Sequence, residues 1–355
     1  MRTWRSFSTS TRRATARSPP PQRGLRRSMM TARNPAAALA PSPDADWRDP
    51  GFVLRRLLRR PTAPLDAYAA PPLEATARET LRARMVAARR EGGPAVCLIL
   101  GAMPRSGTNY VERLLAGHPD VLIAPGGLRE LPAFAVADRF RDAGRAMARF
   151  HPSNGEIFAA YEWLGYAMAG YVNRIRAEAS PQTRAVLLKD PHMRRVALFD
   201  ALMPREQAIL VIRDGRYLVD STVRTWPLRR FGRTFEDICL ECRAATEAAL
   251  TAAAEAPADR VRLVRYEDVT ADPAGRVAEL CAWIGLDPSR LDVAAVTDAP
   301  ILGSSTHSRG ADGVVGWAPV ADKTGFDPTT RPLEWPDAWR RTFARVCGTI
   351  QERAG

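Results

Sequence analysis

Short apolar runs that alternate with helix-like segments organise the chain from residue 95 onward. Residues 95–100 (AVCLIL) and 208–212 (AILVI) are continuous apolar runs, and shorter ones lie at 186–188 and 261–264. Runs of this length are typical of parallel strands that are buried on both faces. Helical patterns follow them, as at residues 273–284. The alternation predicts an α/β fold in which helices flank a central parallel sheet.

The segments on either side of this pattern differ from it. In residues 46–94, apolar positions lie three and four apart among arginines and are interrupted by prolines, which predicts a helical N-terminal extension. We place the main domain at residues 95–350. Within it, residues 300–336 are rich in Gly, Ser, Thr and Pro, which is typical of loops beside a binding site.

Composition limits the class of protein, and most of the net positive charge lies at the start of the chain. The chain of 355 residues is 46% hydrophobic and 26% charged, as in an ordinary soluble protein, and no apolar run reaches the ~18 residues of a membrane-spanning helix. Residues 1–35 hold nine arginines and no acid, which accounts for most of the +13 formal net charge. The folded part is therefore only mildly basic, which suits a small anionic ligand.

The basic start of the chain, residues 1–45, predicts either a disordered tail or an over-extended gene start, with Met29 or Met30 as the initiator. It contains no apolar segment of the kind found in secretory signals, but its composition resembles an organelle transit peptide. We expect a cytoplasmic location, and the tail leaves organelle targeting open.

The five cysteines are an odd number and are spread along the chain. Cys239 and Cys242 form a C-x-x-C pair, but no second pair or nearby histidine completes a metal set. Because the pair lies in a long segment with helical apolar spacing, we interpret it as core packing in a reduced protein and expect no metal site.

A candidate phosphate loop lies between the first predicted strand and its helix, at residues 101–110 (GAMPRSGTNY). A strand-to-helix turn presents backbone N–H groups and the positive end of a helix dipole to an anion. Gly107 would let the backbone approach a ligand closely, Ser106 and Thr108 would supply hydroxyl donors, and Arg105 would supply a fixed positive charge.

The loop differs from a Walker A loop at its end. Walker A motifs end in G-K-[ST], whereas Gly107 is followed by Thr108 and Asn109, and the cation, Arg105, precedes the glycine. We therefore expect a three-layer fold of the P-loop type without the kinase lysine. The structural alternative for the segment is an ordinary turn with a basic residue.

A second candidate phosphate site follows the AILVI strand. Arg213 lies at the end of that strand, and Ser221 follows eight residues later on the next predicted helix. The two side chains can converge on one phosphate, with the arginine binding it in a bidentate manner. A salt bridge between Arg213 and Asp214 in a loop is the structural alternative.

Together, the two motifs resemble those of sulfotransferases that use 3′-phosphoadenosine 5′-phosphosulfate (PAPS). Residues 104–108 (PRSGT) resemble the loop that binds the 5′-phosphosulfate, and Arg213 with Ser221 resembles the element that holds the 3′-phosphate. The continuation to residues 118–121 (HPDV) is similar to the bacterial and tyrosylprotein branches of the family. The resemblance covers residues 96–317 and implies that residues 95–350 form a sulfotransferase catalytic domain.

Further site residues follow from this resemblance. It implies that Lys189 faces the transferring sulfate, that Tyr266 lies near the adenine, and that Tyr110 stacks on the base. It also implies that Ser305 belongs to a C-terminal segment that binds the donor. Asn109 stands where Thr or Ser is commoner, and its amide can still donate a hydrogen bond.

The resemblance implies in-line sulfuryl transfer from PAPS to an acceptor hydroxyl or amine, without a bound metal. Lys189, Arg105 and the loop N–H groups would neutralise charge on the departing nucleotide. The general base is expected at Glu130, with His192 as the alternative. We interpret His118 as a helix cap.

Two other functions stay open from sequence. A P-loop small-molecule kinase would need magnesium, and a non-catalytic nucleotide-binding module would need no base. The chain has no motif of a nucleic-acid binder and no predicted membrane span. The acceptor could be a carbohydrate, a protein tyrosine, a lipid or a small metabolite.

Overall fold

A computed structural model describes residues 53–54, 57–58, 65–71, 73–151, 153–154, 161–226, 228, 233–297, 330 and 332–354. Within these ranges the strands are β1 (Ala95–Gly101), β2 (Val121–Ile123), β3 (Ala185–Asp190), β4 (Gln207–Ile212) and β5 (Val261–Arg265). They form one parallel sheet in the order β2-β3-β1-β4-β5. The predicted central parallel sheet is therefore confirmed, and the short edge strand β2 is an addition to the pattern read from sequence.

Helices cover both faces of this sheet. They are α1 (Ala75–Ala88), α2 (Thr108–Leu115), α3 (Ala137–Ala148), α4 (Glu162–Glu178), α5 (Phe199–Leu202), α6 (Gly215–Thr225), α7 (Phe235–Glu255), α8 (Tyr266–Ala271), α9 (Pro273–Ile284), α10 (Val293–Thr297) and α11 (Asp337–Ala354). Short 3₁₀ turns lie at Leu65–Ala67, Pro125–Gly127, Phe134–Val136, Val196–Leu198 and Pro288–Arg290. The predicted helix at 273–284 has the bounds of α9.

Alternate residues of the central strands pack into two separate cores. Val96, Leu98 and Leu100 of β1 belong to the core on one face of the sheet. Cys97 and Ile99 belong to the core on the other face. This is the arrangement expected of a strand buried on both sides, and it explains why β1 is continuously apolar in the sequence.

The register aligns the carboxyl ends of three strands at one edge of the sheet. Lys189 and Asp190 of β3 lie beside Ile99 and Leu100 of β1, and Gly101 lies beside Val211 of β4. Because ligands of open α/β sheets bind outside the carboxyl ends of the strands, this edge is where the predicted site residues meet.

The residues just ahead of the sheet pack onto it. Tyr68, Leu81 and Met85 are buried in the same core as β1. A buried ion pair joins Arg89 to Glu206, with 3.0 Å between Nε and Oε1. The boundary at residue 94 stays a prediction, as does the tail at residues 1–45, which lies outside the described residues.

The cysteines occupy interior positions. All five are buried and none is in a disulfide: Cys97, Cys239, Cys242, Cys281 and Cys347. Cys239 and Cys242 lie on α7 in the first core, as the core-packing interpretation predicts. Within the described ranges, no helix is long and apolar enough to cross a membrane.

Candidate functional site

The loop between β1 and α2 is closed by its own serine. The Ser106 hydroxyl donates to the Met103 carbonyl at 2.7 Å and accepts from the Met103 N–H at 3.1 Å. Ser106 is 1% exposed. The hydroxyl therefore shapes the loop from inside. This differs from its predicted use as a donor to the ligand, because its single proton is already bonded within the loop.

Gly107 lets the loop pack closely on Tyr266, the first residue of α8. It has φ 105° and caps α2, and a Cβ added there would lie 2.2 Å from the Cδ2 atom of Tyr266. Only glycine fits this left-handed position and this close approach. Thr108 is buried at the first position of α2. The glycine is thus required by the packing of the loop on the Tyr266 ring.

Arg105 connects the two sequence motifs. Its Nε donates to the Ser221 hydroxyl at 3.0 Å, and its carbonyl accepts from Arg213 Nη1 at 3.2 Å. Its φ of 87° is rare for a residue with a side chain. Residues more than a hundred positions apart in sequence therefore meet at one point and supply two cations and a hydroxyl. That they bind the phosphates of a donor stays a prediction.

Two tyrosines, Tyr110 and Tyr266, pack beside this junction. The Arg213 guanidinium lies 4.6 Å from the centre of the Tyr266 ring, and Tyr110 meets Tyr266 edge-on at 5.9 Å between ring centres. Burial raises the pKa of Tyr266 to about 12, although the charge of Arg213 opposes the shift. Burial also raises the pKa of Tyr110. Both rings stay neutral at physiological pH, and their contact with the base of a nucleotide stays a prediction.

The N-terminus of α6, next to Arg213, is already occupied by side chains. Asp214 N–H donates to Glu267 Oε1 at 3.0 Å, and Gly215 N–H donates to Gln351 Oε1 at 2.8 Å. Asp214 itself accepts from Arg216 and caps the helix. An anion at this motif would therefore be met by the side chains of Arg213 and Ser221 rather than by free helix N–H groups.

Lys189 is the next-to-last residue of β3. In the sheet, β1 separates β3 from β4, the strand that Arg213 follows. The lysine Nζ donates to Glu112 Oε2 at 2.9 Å and to Asn109 Oδ1. The residue is 8% exposed. Asn109 thus uses its oxygen to hold the lysine. The predicted cation is in place beside the loop, and two side chains of α2 fix its position.

Glu112 is a site residue that the sequence reasoning missed. Burial raises the pKa of its carboxyl group, while Lys189 lowers it and the charge of Glu130 raises it further. The signal that could have found it is its spacing, because Glu112 lies one helical turn after Thr108 and so on the same face of α2. It is the counter-charge of Lys189.

The two predicted bases differ in surroundings. Glu130 is exposed, and the N–H of the next residue, Leu131, donates to the Lys189 carbonyl at 2.7 Å. His192 is half-buried, and its N–H and Nδ1 lie 3.0 and 3.3 Å from Asp190 Oδ1. Burial raises the pKa of Asp190, and its bond to His192 opposes the shift. Both candidates therefore flank the end of β3.

His118 is a structural residue. Its Nδ1 accepts from the Asp120 N–H at 3.2 Å, so its Nε2 carries the proton and donates to the Asp287 carbonyl at 3.0 Å. The ring is buried. The side chain therefore does not cap α2, whose C-cap is Ala116, and the predicted capping role is wrong for the ring. The ring instead ties the turn after α2 to the turn after α9, which is a structural role.

The remaining predictions concern the C-terminal loop and metals. Ser305 lies outside the described residues, so its predicted role stays a prediction. Among the residues that the structure does describe, no group of three or more His, Cys, Asp or Glu side chains could hold a metal ion. The candidate site is a set of cations and hydroxyls at the carboxyl ends of the strands, which is chemistry suited to an anion.

Comparison with known proteins identifies the family of the chain. A sequence model of the Sulfotransferase family matches residues 97–290, more than half of the chain. Nodulation protein NoeE of Sinorhizobium fredii is 27% identical over 236 residues, covering 59% of this chain and 54% of that protein. Protein-tyrosine sulfotransferase 2 of Gallus gallus is 24% identical over 193 residues, covering 53% and 51%. The chain spans about half the length of these relatives.

Solved structures show a more distant likeness. A sulfotransferase domain from the curacin biosynthetic pathway is 14% identical with a TM-score of 0.43, covering 72% of this chain and 97% of that domain. The sulfotransferase domain of an olefin synthase from Synechococcus PCC 7002 is 19% identical with a TM-score of 0.40, covering 59% and 82%. At these scores, the assignment of the family rests on the sequence match.

Proposed function

The chain belongs to the sulfotransferase family, and on that premise we propose that it transfers a sulfuryl group from PAPS to an acceptor hydroxyl or amine. The observation that carries the proposal is the junction at Arg105, whose side chain bonds Ser221 and whose carbonyl bonds Arg213. This junction joins a loop able to hold one phosphate group to side chains able to hold a second one. PAPS is a donor that carries phosphate at both ends of its ribose.

In this proposal, each half of the junction binds one end of the donor. The loop N–H groups around Gly107 and the Arg105 guanidinium bind the 5′-phosphosulfate, while Arg213 and Ser221 bind the 3′-phosphate. Tyr110 and Tyr266 contribute apolar surface near the adenine. The close packing of Gly107 on Tyr266 supports this, because it brings the loop backbone, which would bind the phosphate, next to the ring that would lie near the adenine.

The chemical step breaks one S–O bond and forms another. The acceptor oxygen attacks sulfur in line, and the bridging oxygen leaves with the electron pair on 3′-phosphoadenosine 5′-phosphate (PAP). Lys189 and Arg105 stabilise the charge on the departing nucleotide. Lys189 reaches it by exchanging its bond to Glu112, 2.9 Å away, for one to the donor. The acceptor proton goes to the general base.

Glu130 is the proposed base, and His192 is the second candidate. The bond from Leu131 N–H to the Lys189 carbonyl keeps the Glu130 backbone beside the transferring group. The contact with Asp190 supports His192, because a carboxylate orients the ring and stabilises its protonated form. Comparing Glu130→Gln with His192→Asn decides between them: loss of the base lowers kcat by ~10²–10⁴ and leaves PAP affinity unchanged.

The kinase alternative is not favoured. Gly107 is followed by Thr108 where a Walker A loop has its lysine, and the family match is to sulfotransferases. A non-catalytic nucleotide-binding module would not need Lys189. The lysine is nevertheless buried and held in place by Glu112, which favours a catalytic role. We propose a catalytic domain over residues 95–350 and a cytoplasmic location.

The proposal covers acceptors of four classes: carbohydrate, protein tyrosine, lipid and small metabolite. Protein-tyrosine sulfotransferase 2, a relative at 24% identity, supports the tyrosine class by its name. The donor is proposed to act without a metal ion, because positioning and positive charge from Arg105, Lys189 and Arg213 suffice for in-line transfer.

The test is transfer of ³⁵S from labelled PAPS in the presence of EDTA. The acceptors are a tyrosine ester, an N-acetylglucosamine oligomer and 1-octanol. We expect label on at least one acceptor with the wild type and with Arg262→Ala, an exposed arginine of β5 that serves as the control. Lys189→Met should transfer the label at least ~100-fold more slowly. If the folded protein transfers no label from PAPS but transfers phosphate from MgATP, the proposal is wrong and the protein is a kinase.

A further inference from the structure

The C-terminal helix α11 packs on the start of α6, the helix that follows Arg213. The N–H of Gly215, two residues after Arg213, donates to Gln351 Oε1 of α11 at 2.8 Å. A Cβ added at Gly215 would lie 3.0 Å from that oxygen and 3.3 Å from Cζ of Phe343, which is also on α11. The glycine therefore allows a close approach of the two helices. The bond from Gly215 to Gln351 fixes the turn in which the chain leaves β4 and enters α6.

A second contact joins the residues ahead of α11 to the middle of α6. Trp335, two residues before the helix, donates from Nε1 to Asp220 Oδ1 at 2.9 Å. Its ring is buried and meets the rings of Phe235 and Phe343, each at 5.3 Å between ring centres. Asp220 is also buried and directly precedes Ser221. The packed indole is therefore able to fix the part of α6 that carries Ser221.

One C-terminal segment thus contacts α6 beside each of the two side chains predicted to bind the second phosphate. Binding groups must be held within about 0.5 Å of the productive geometry by neighbours whose own positions are fixed. Gln351 supplies such a neighbour for the turn at Arg213, and Trp335 supplies one for the helix at Ser221. Both lie beyond residue 290, where the match to the family model ends, so the two contacts are not part of that match.

We propose that Gln351 and Trp335 are positioning residues for the 3′-phosphate of the donor. Each acts through its contact with α6, and together they set the places of Arg213 and Ser221 before the nucleotide binds. Less conformational freedom is then lost on binding. The inference rests on the proposed function, in which Arg213 and Ser221 bind the 3′-phosphate.

The first test is Gln351→Met, which keeps a side chain of similar length and removes the acceptor for the Gly215 N–H. By calorimetry in magnesium-free buffer, we expect its affinity for PAP to fall by about tenfold. Adenosine 5′-monophosphate (AMP) lacks the 3′-phosphate, so its affinity should stay within about twofold of the wild-type value. Thr349→Met is the matched control, because Thr349 is exposed on the same helix. It should leave both affinities unchanged.

The second test is Trp335→Phe, which retains an aromatic ring and removes the donor to Asp220. We expect PAP affinity to fall by about fivefold and AMP affinity to stay at the wild-type value. Trp339→Phe is the control, since it makes the same change in a ring that stacks on Phe235. With labelled PAPS, both positioning variants should raise KM and leave kcat within about twofold, because they act on binding of the donor and not on the transferring group.

The outcomes separate this inference from the proposed function. If the wild type does not bind PAP, or binds it no more tightly than AMP, the second motif holds no phosphate and the proposed function fails first. If the wild type prefers PAP and the variants at Gln351 and Trp335 keep that preference, or lose affinity for both nucleotides alike, the inference is wrong. Urea unfolding shows which variants are folded; if Gln351→Met is not, Trp335→Phe compared with Trp339→Phe decides.

Discussion

The two halves of the site are built in different ways. In the donor half, Arg105, Ser221 and Arg213 bond one another directly, and Gly107 is packed on Tyr266. In the acceptor half, Lys189 is held by the carboxylate of Glu112, and the proposed base, Glu130, is exposed. The donor half is the loop 102–107 with Arg213, Ser221 and Tyr266, and the acceptor half is Lys189 with Glu112 and Glu130.

The difference follows from what each half must do. A donor with two fixed anionic groups is held best by side chains whose geometry is set before it arrives, because less rotamer entropy is lost on binding. In the proposed mechanism Lys189 instead exchanges partners during the reaction, and its contact with the Glu112 carboxylate is one that the donor can replace. Substitutions in the two halves should therefore separate binding from rate.

The largest expected effect lies in the acceptor half. Lys189→Met should lower kcat by ~10²–10³, because it removes a cation that acts on charge formed in the transition state. PAP affinity should fall by much less than kcat, because Lys189 acts chiefly on the charge that develops on the bridging oxygen as the S–O bond breaks. Single-turnover rates with labelled PAPS, together with PAP calorimetry, measure both quantities. An equal loss in affinity and in rate would erase the contrast between the halves.

The second effect belongs to the donor half. Arg213→Ala should weaken PAP binding by about 30- to 100-fold, because a charge-assisted bidentate contact to a phosphate is lost. The rate from the bound state should change much less. Calorimetry without magnesium checks the affinity, with Arg262→Ala as the exposed control. Wild-type affinity in Arg213→Ala would remove this residue from the donor site.

The third effect tests the packing of the loop. Gly107→Ala should lower the free energy of unfolding by about 2–3 kcal/mol, because it combines a left-handed φ of 105° with a Cβ that overlaps Tyr266. Gly170→Ala is the control: Gly170 lies in α4 with nothing within 4 Å of an added Cβ. It should stabilise the protein by about 0.5–1 kcal/mol. Urea unfolding measures both changes, and equal effects would show that Gly107 is not constrained.

The smallest effect concerns pH. The pKa of Tyr266 is raised from 10.0 to about 12 in the folded protein. The unfolded chain therefore loses this proton first, so stability is intact below pH 10 and falls as pH rises towards 12. At pH 11, wild type should lose about 1 kcal/mol more than Tyr266→Phe, relative to pH 8. Urea unfolding at the two pH values checks this; parallel losses would mean that Tyr266 is solvated.

The placement of the donor half was largely predictable from sequence, because it depends on features local to each motif. Each motif directly follows an apolar run, and parallel strands place their carboxyl ends at one edge, so Arg105 and Arg213 had to lie near each other. The inward turn of the Ser106 hydroxyl was not predictable, because it depends on one rotamer within the loop.

The acceptor half was less accessible to sequence reasoning. Glu112 was missed because its importance comes from a contact with Lys189, 77 residues away on another element. The packing of Tyr68 and Met85 on the sheet was also invisible, since helical spacing does not say what a helix packs against.

The measurement that tests the central claim most directly compares the affinity of PAP with that of adenosine 5′-monophosphate in magnesium-free buffer. If the loop and the pair of Arg213 and Ser221 each hold one phosphate, PAP should bind about 100-fold more tightly, and Arg213→Ala should remove most of that difference. Equal affinities of the wild type for the two nucleotides would contradict the account, because the second motif would then hold no phosphate.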